Sequence, residues 1–184
     1  MPKLGISFGI GSTSVEGAIV ANSGGGGGGY SDGFFMTNDS SPEVTLSTVA
    51  SLADSQSVTK SDVLKLEANQ EFSSSYDPRL NLRDGASGIA DSTAATVTFS
   101  MLLDSGNTGN VPGTFASIRV QAKGGSFVSQ PLTTSDITVG EWTDFSVSVT
   151  TGTGNDHITF DLDHAGGGGV HDEDIIYFHG VSIS

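Results

Sequence analysis

From Tyr30 onward the chain repeats one pattern, apolar and polar residues alternating with a period of two. That alternation is the mark of strands with one face buried. Leu64, Leu66 and Ala68 alternate with Val63, Lys65 and Glu67, and Val97, Phe99, Met101 and Leu103 with Thr96, Thr98 and Ser100. Phe115 to Lys123 gathers Ile118, Val120 and Ala122 on one face. Trp142 to Thr150 gathers Phe145, Val147 and Val149, which turns Arg119 and Ser146 to water. Ile158, Phe160 and Leu162 make a further strand. Ile175 to Ile183 is apolar on both faces in its middle, which predicts a central position in a sheet. VTLSTVASL, between Thr37 and Lys60, is read as a strand, although its spacing also fits a short helix.

The segments are separated by GNTGNVPG at 106–113, KGG at 123–125, TTGTGND at 150–156 and GGGG at 166–169. Such breakers, spaced this way, predict an all-β antiparallel sandwich over residues 30–184. Gly24 to Gly29 is an unbroken run of glycine, where ordering the backbone costs the most entropy, so it reads as a linker. Before it, residues 1–23 form a short arm. Leu4, Ile6, Phe8 and Ile10 alternate with Gly5, Ser7 and Gly9. A lone strand of this kind either frays or adds itself to the sheet edge of a partner.

Charge narrows the function classes. Seven basic residues against 21 acidic ones give a net charge of −14, which repels phosphate-bearing partners at long range and argues against nucleic-acid and anionic-membrane binding. The chain has no cysteine, so neither a disulfide frame nor a thiolate metal site is available. The opening segment fails as a secretory leader because Gly and Ser break every apolar run after Leu4 and Glu16 interrupts the rest. No segment approaches the roughly 20 apolar residues of a membrane span.

DVLKLEA, TVTFSMLL, EWTDFSVSVTTGTGNDHITFDLD and the closing IIYFHGVSIS together resemble the carbohydrate-binding-module-like, galactose-binding-like jelly rolls. The resemblance covers roughly residues 30–184 and implies a jelly-roll sandwich and saccharide binding. The closing strand departs from that pattern. It carries His179 and Gly180 where the family commonly has paired acids, which removes the usual support for a structural calcium site. MPKLGISFGIG, followed by a glycine run and a β-rich body, is similar to the starts of tailed-bacteriophage virion proteins. That second resemblance implies an accessory or structural virion protein whose arm docks on capsid or tail proteins. The alternative is an extracellular carbohydrate-binding module of a polysaccharide-degrading system. Monomer, dimer and trimer are all compatible with the residues.

Candidate chemistry is sparse. Asp161, Asp163, His164, His171, Asp172, Glu173 and Asp174 crowd what reads as one hairpin. The carboxylates of Asp161, Asp163, Asp172 and Asp174 could hold calcium, though their spacing matches no specific loop and a solvated acidic tip is the favoured explanation. Catalysis has no support: GxSxG, HExxH and a phosphate-cradling loop are all missing from the sequence. Saccharide binding needs exposed aromatic platforms, and Tyr76, Phe127 and Trp142 are the residues to test. Trp142, opening a strand beside Phe145, also suits a packed structural role.

Overall fold

The computed structural model describes residues 33–37, 44–69, 79–107, 117–132, 136–162 and 173–184. The arm with Leu4, Ile6, Phe8 and Ile10, the glycine linker, Tyr76, Asp163 and Asp172 all lie outside these residues.

Ten strands make up the described elements: β1 (Phe34–Thr37), β2 (Val44–Ala53), β3 (Thr59–Ala68), β4 (Arg79–Leu82), β5 (Ala94–Leu103), β6 (Ser117–Ala122), β7 (Val128–Pro131), β8 (Thr143–Thr150), β9 (Ile158–Asp161) and β10 (Ile175–Ile183). They form two five-stranded sheets of order β1-β4-β9-β6-β7 and β2-β3-β10-β5-β8. Every pairing is antiparallel. The fold is a jelly-roll β-sandwich. VTLSTVASL is strand β2, and β10 lies at the centre of its sheet, as its two-sided apolarity predicts.

Alternation puts one apolar row of each sheet inside. Leu80, Phe160 and Val120 are in register across β4, β9 and β6, followed by Leu82, Ile158 and Ala122, and all six are buried. From the other sheet Leu64, Phe178 and Met101 line up across β3, β10 and β5. Four phenylalanines join the layers: the Phe99 ring stacks on Phe145 at 5.1 Å and meets Phe160 edge-on at 5.0 Å, while Phe160 lies 5.6 Å from Phe178. Aromatic pairs in such arrangements add to the stabilisation from area burial alone.

The two glycine-rich breakers at 123–125 and 150–156 meet backbone to backbone. Gly152 N–H donates to the Ala122 carbonyl at 3.0 Å and Gly154 N–H to the Lys123 carbonyl at 2.9 Å. A Cβ on Gly152 would fall 2.5 Å from both Gly125 N and Lys123 O, atoms of the chain that cannot rotate away. Gly152→Ala is therefore expected to cost about 2 kcal/mol, as overpacking does elsewhere, in a urea-unfolding experiment.

Two sequence expectations are corrected. Asp161 ends β9 in one sheet and Asp174 immediately precedes β10 in the other, so this part of the chain crosses between the sheets and is not a hairpin. Asp161 and Asp174 are moreover buried, not solvated. The His179-Gly180 departure has a structural reason: the β10–β5 register shifts between His179 and Ser182, and Gly180 takes a left-handed backbone with φ 62°, which glycine adopts without steric cost.

Candidate functional site

The outer face of the β1-β4-β9-β6-β7 sheet carries polar side chains where its inner face carries the core. Arg79, Asp161 and Arg119 are in register across β4, β9 and β6, and beside them run Phe35, Asn81, Thr159 and Gln121 across β1, β4, β9 and β6. In RLNLR, at 79–83, the alternation of Arg, Asn and Arg with Leu80 and Leu82 builds this face directly.

Asp161 organises one end. Its side chain is 0% exposed, and its Oδ2 accepts from Arg79 Nε at 2.9 Å and from an Arg119 terminal nitrogen at 2.8 Å. A carboxylate this buried is tolerable only with charge-assisted partners. Its Oδ1 is buried with no hydrogen-bond partner among the described residues. The Phe127 ring, just before β7, lies 5.3 Å from the guanidinium carbons of both Arg79 and Arg119. Arg119 is thus half-buried in this cluster, and the expectation that it simply faces water is corrected. In the middle of the face, Thr159 Oγ1 donates to Asn81 Oδ1 at 2.7 Å, and both residues are buried. At the other end Arg83 is exposed, its guanidinium stacked 4.6 Å above Phe35, whose ring in turn meets His157 edge-on at 4.9 Å. Arginine, aromatic ring and amide thus alternate over one surface.

Of the aromatic residues named from sequence, Phe127 lies on this face. Trp142 leads into β8 of the opposite sheet and is half-buried against the outer cluster of Val63, Leu102 and Tyr177, with Lys60 Nζ 5.4 Å from its ring centroid. Asp54 pins its backbone, accepting the Trp142 N–H at 3.0 Å. Of the four acids named for calcium, Asp161 spends Oδ2 on two arginines, and it ends β9 in one sheet while Asp174 leads into β10 in the other. Among the described residues no group of three or more acidic or histidine side chains is placed to hold a metal. The residues that sequence reasoning passed over are Phe35, Arg79, Asn81, Arg83, Gln121 and Thr159. The signal was present in RLNLR and in HITFDL, whose polar positions are as regular as their apolar ones.

The second sheet has a groove of about 490 Å³ lined by Lys60, Ser100, Asp144, His179 and Gly180. The left-handed backbone at Asp62 (φ 52°) interrupts the alternation of β3 and delivers Lys60 to the outer surface. There its Nζ donates to Ser100 Oγ at 2.6 Å and pairs with Asp144 at 3.0 Å. Burial, reinforced by the Lys60 charge, holds the His179 imidazole below its ordinary value of 6.5; the Ser61 backbone, Asp144 and Asp62 oppose the shift. The unfolded chain therefore takes up this proton first. Stability from His179 is complete above pH 6.5 and is lost as pH falls through and below that value. Urea midpoints should fall between pH 7.5 and 5.5, and His179→Gln should flatten that slope.

No protein-family model matches the chain, and no curated protein matches it. Its fold is found among solved structures. The CBM22-1-GH10 modules of Clostridium thermocellum xylanase 10B, complexed with xylohexaose, align over 85% of this chain and 26% of theirs, with 11% identity and a TM-score of 0.50. The arabinose-bound MgGH51 α-L-arabinofuranosidase aligns over 82% of this chain and 23% of its own, with 14% identity and a TM-score of 0.51. The enzymatically active domain of bacteriophage CBA120 tailspike protein 4 aligns over 83% and 19%, with 16% identity and a TM-score of 0.42. At these identities the likeness is one of fold. No helix among the described residues is long and apolar enough to cross a membrane.

Proposed function

We propose that this chain is a non-catalytic saccharide-binding domain that holds its ligand on the outer face of the β1-β4-β9-β6-β7 sheet. The observation that carries the reading is the composition of that face, where Phe127, Phe35, three guanidiniums and Gln121 lie over a rigid sheet. Saccharides present apolar ring faces and a rim of hydroxyls, so they are bound by flat side chains together with in-plane donors and acceptors. The Asp161 clamp and the Asn81–Thr159 hydrogen bond fix the layer beneath, which reduces the entropy lost when a ligand orders the surface. The fold neighbour complexed with xylohexaose, the CBM22-1-GH10 modules of xylanase 10B, supports the choice of ligand class.

Affinity electrophoresis of the full chain through gels containing different polysaccharides tests the reading. Retention by at least one polysaccharide is expected, and Phe127→Ala should weaken it about tenfold, the size of a lost stacking contact. Retention unchanged by Phe127→Ala would remove this ring from the site.

Attachment to a virion rests on the sequence of residues 1–29 alone. In that proposal the arm with Leu4, Ile6, Phe8 and Ile10 docks on capsid or tail proteins, and the sandwich projects outward to meet host-surface glycans. Deleting residues 1–29 should leave a folded sandwich that no longer enters particles; normal incorporation of the truncated chain would place the anchor elsewhere.

A further inference from the structure

The chain has only three arginines, Arg79, Arg83 and Arg119, and all three lie on β4 and β6 or directly after β4, on the outer face of one sheet. In a protein of net charge −14, solubility gives no reason to collect them there. Each guanidinium lies over an aromatic ring, Arg83 over Phe35 and the other two over Phe127. Among the described residues the one acidic side chain in contact with them is Asp161. Arg83 is the most available of the three: it is exposed and forms no ion pair among the described residues. Stacking occupies the flat side of a guanidinium and leaves its in-plane N–H fork for a planar or tetrahedral oxyanion.

We infer that the saccharide bound on this face is anionic, carrying a carboxylate or a sulfate ester that Arg83 receives, with Arg79 completing a positive strip along β4. The inference rests on the saccharide-binding reading and adds the ligand's charge. Because the rest of the molecule repels polyanions, retention of an anionic polysaccharide would report this local site and not general attraction to the protein.

The test compares the full chain on polygalacturonate, dextran sulfate, neutral xylan and neutral dextran by affinity electrophoresis, with wild type, Arg83→Gln and Arg83→Lys run in parallel and thermal melts confirming that each variant is folded. The expected result is retention by an anionic polysaccharide well above either neutral one, a loss of about tenfold or more in Arg83→Gln, and partial recovery in Arg83→Lys. Stronger retention on polygalacturonate assigns the carboxylate, and stronger retention on dextran sulfate the sulfate. Retention by neutral polysaccharides equal to or above that by anionic ones overturns the inference and leaves the saccharide-binding reading standing. Retention on an anionic polysaccharide that is unchanged in Arg83→Gln overturns the role of Arg83. Absence of retention on all four polymers overturns the inference and counts against the reading beneath it.

Discussion

Phe160→Ala is expected to lower the free energy of unfolding by about 3–5 kcal/mol, the usual cost of removing a fully buried phenylalanine. Phe160 sits on the middle strand of its sheet and is 0% exposed. Its ring touches both Phe99 and Phe178 of the opposite sheet, so the cavity opens at the junction of the two layers, where neither sheet can collapse alone. The same strand carries Thr159 and Asp161 on its other face, so loss of the ring should also disturb the polar surface above it. Phe160→Leu, which keeps most of the volume, should recover much of the stability and the binding. A loss below about 1 kcal/mol in urea unfolding of Phe160→Ala would mean that the layers are not joined through this ring.

The double variant Arg79→Met/Arg119→Met is expected to cost about 3–5 kcal/mol, because it strands the buried Asp161 carboxylate without either cation. Each single replacement should cost much less, since the remaining guanidinium still pairs with Oδ2 and both arginine side chains are partly exposed, 36% and 29%, in the folded protein. The effects should therefore be non-additive, with the double variant worse than the sum of the singles in a four-protein unfolding cycle. Additive losses would show that the two arginines act on Asp161 independently.

Most of one sheet could be read from the sequence. Strands β2, β3, β5, β8 and β10 are eight to ten residues long, long enough for alternation to stand out. The other sheet was harder: β1, β4 and β7 have four residues each, and so short a run gives only two inward positions. Those are also strands of the candidate site, so what positions the functional face was what the pattern showed least. The arginines were legible as residues but not as a group, because Arg79 and Arg119 are 40 positions apart and meet through Asp161 on a third strand and the ring of Phe127 before a fourth. Asp161 itself was misassigned to an acidic surface tip by counting neighbouring charges, when its partners are distant in sequence and its burial follows from lying between β4 and β6. Trp142 could be placed at the start of a strand, yet which sheet it joined depended on the β5–β8 pairing.

Backbone amide shift mapping of the isotope-labelled full chain, titrated with xylohexaose, an oligogalacturonate and a sulfated dextran oligosaccharide, tests the saccharide-binding face most directly. The account predicts saturable shifts with an anionic oligosaccharide centred on Arg79 to Arg83, Ser117 to Gln121, Phe127 and Ile158 to Asp161, with little change across β2, β3, β5, β8 and β10. Shifts centred instead on Lys60, Asp144 and His179, or no saturable shift with any of the three, would contradict it.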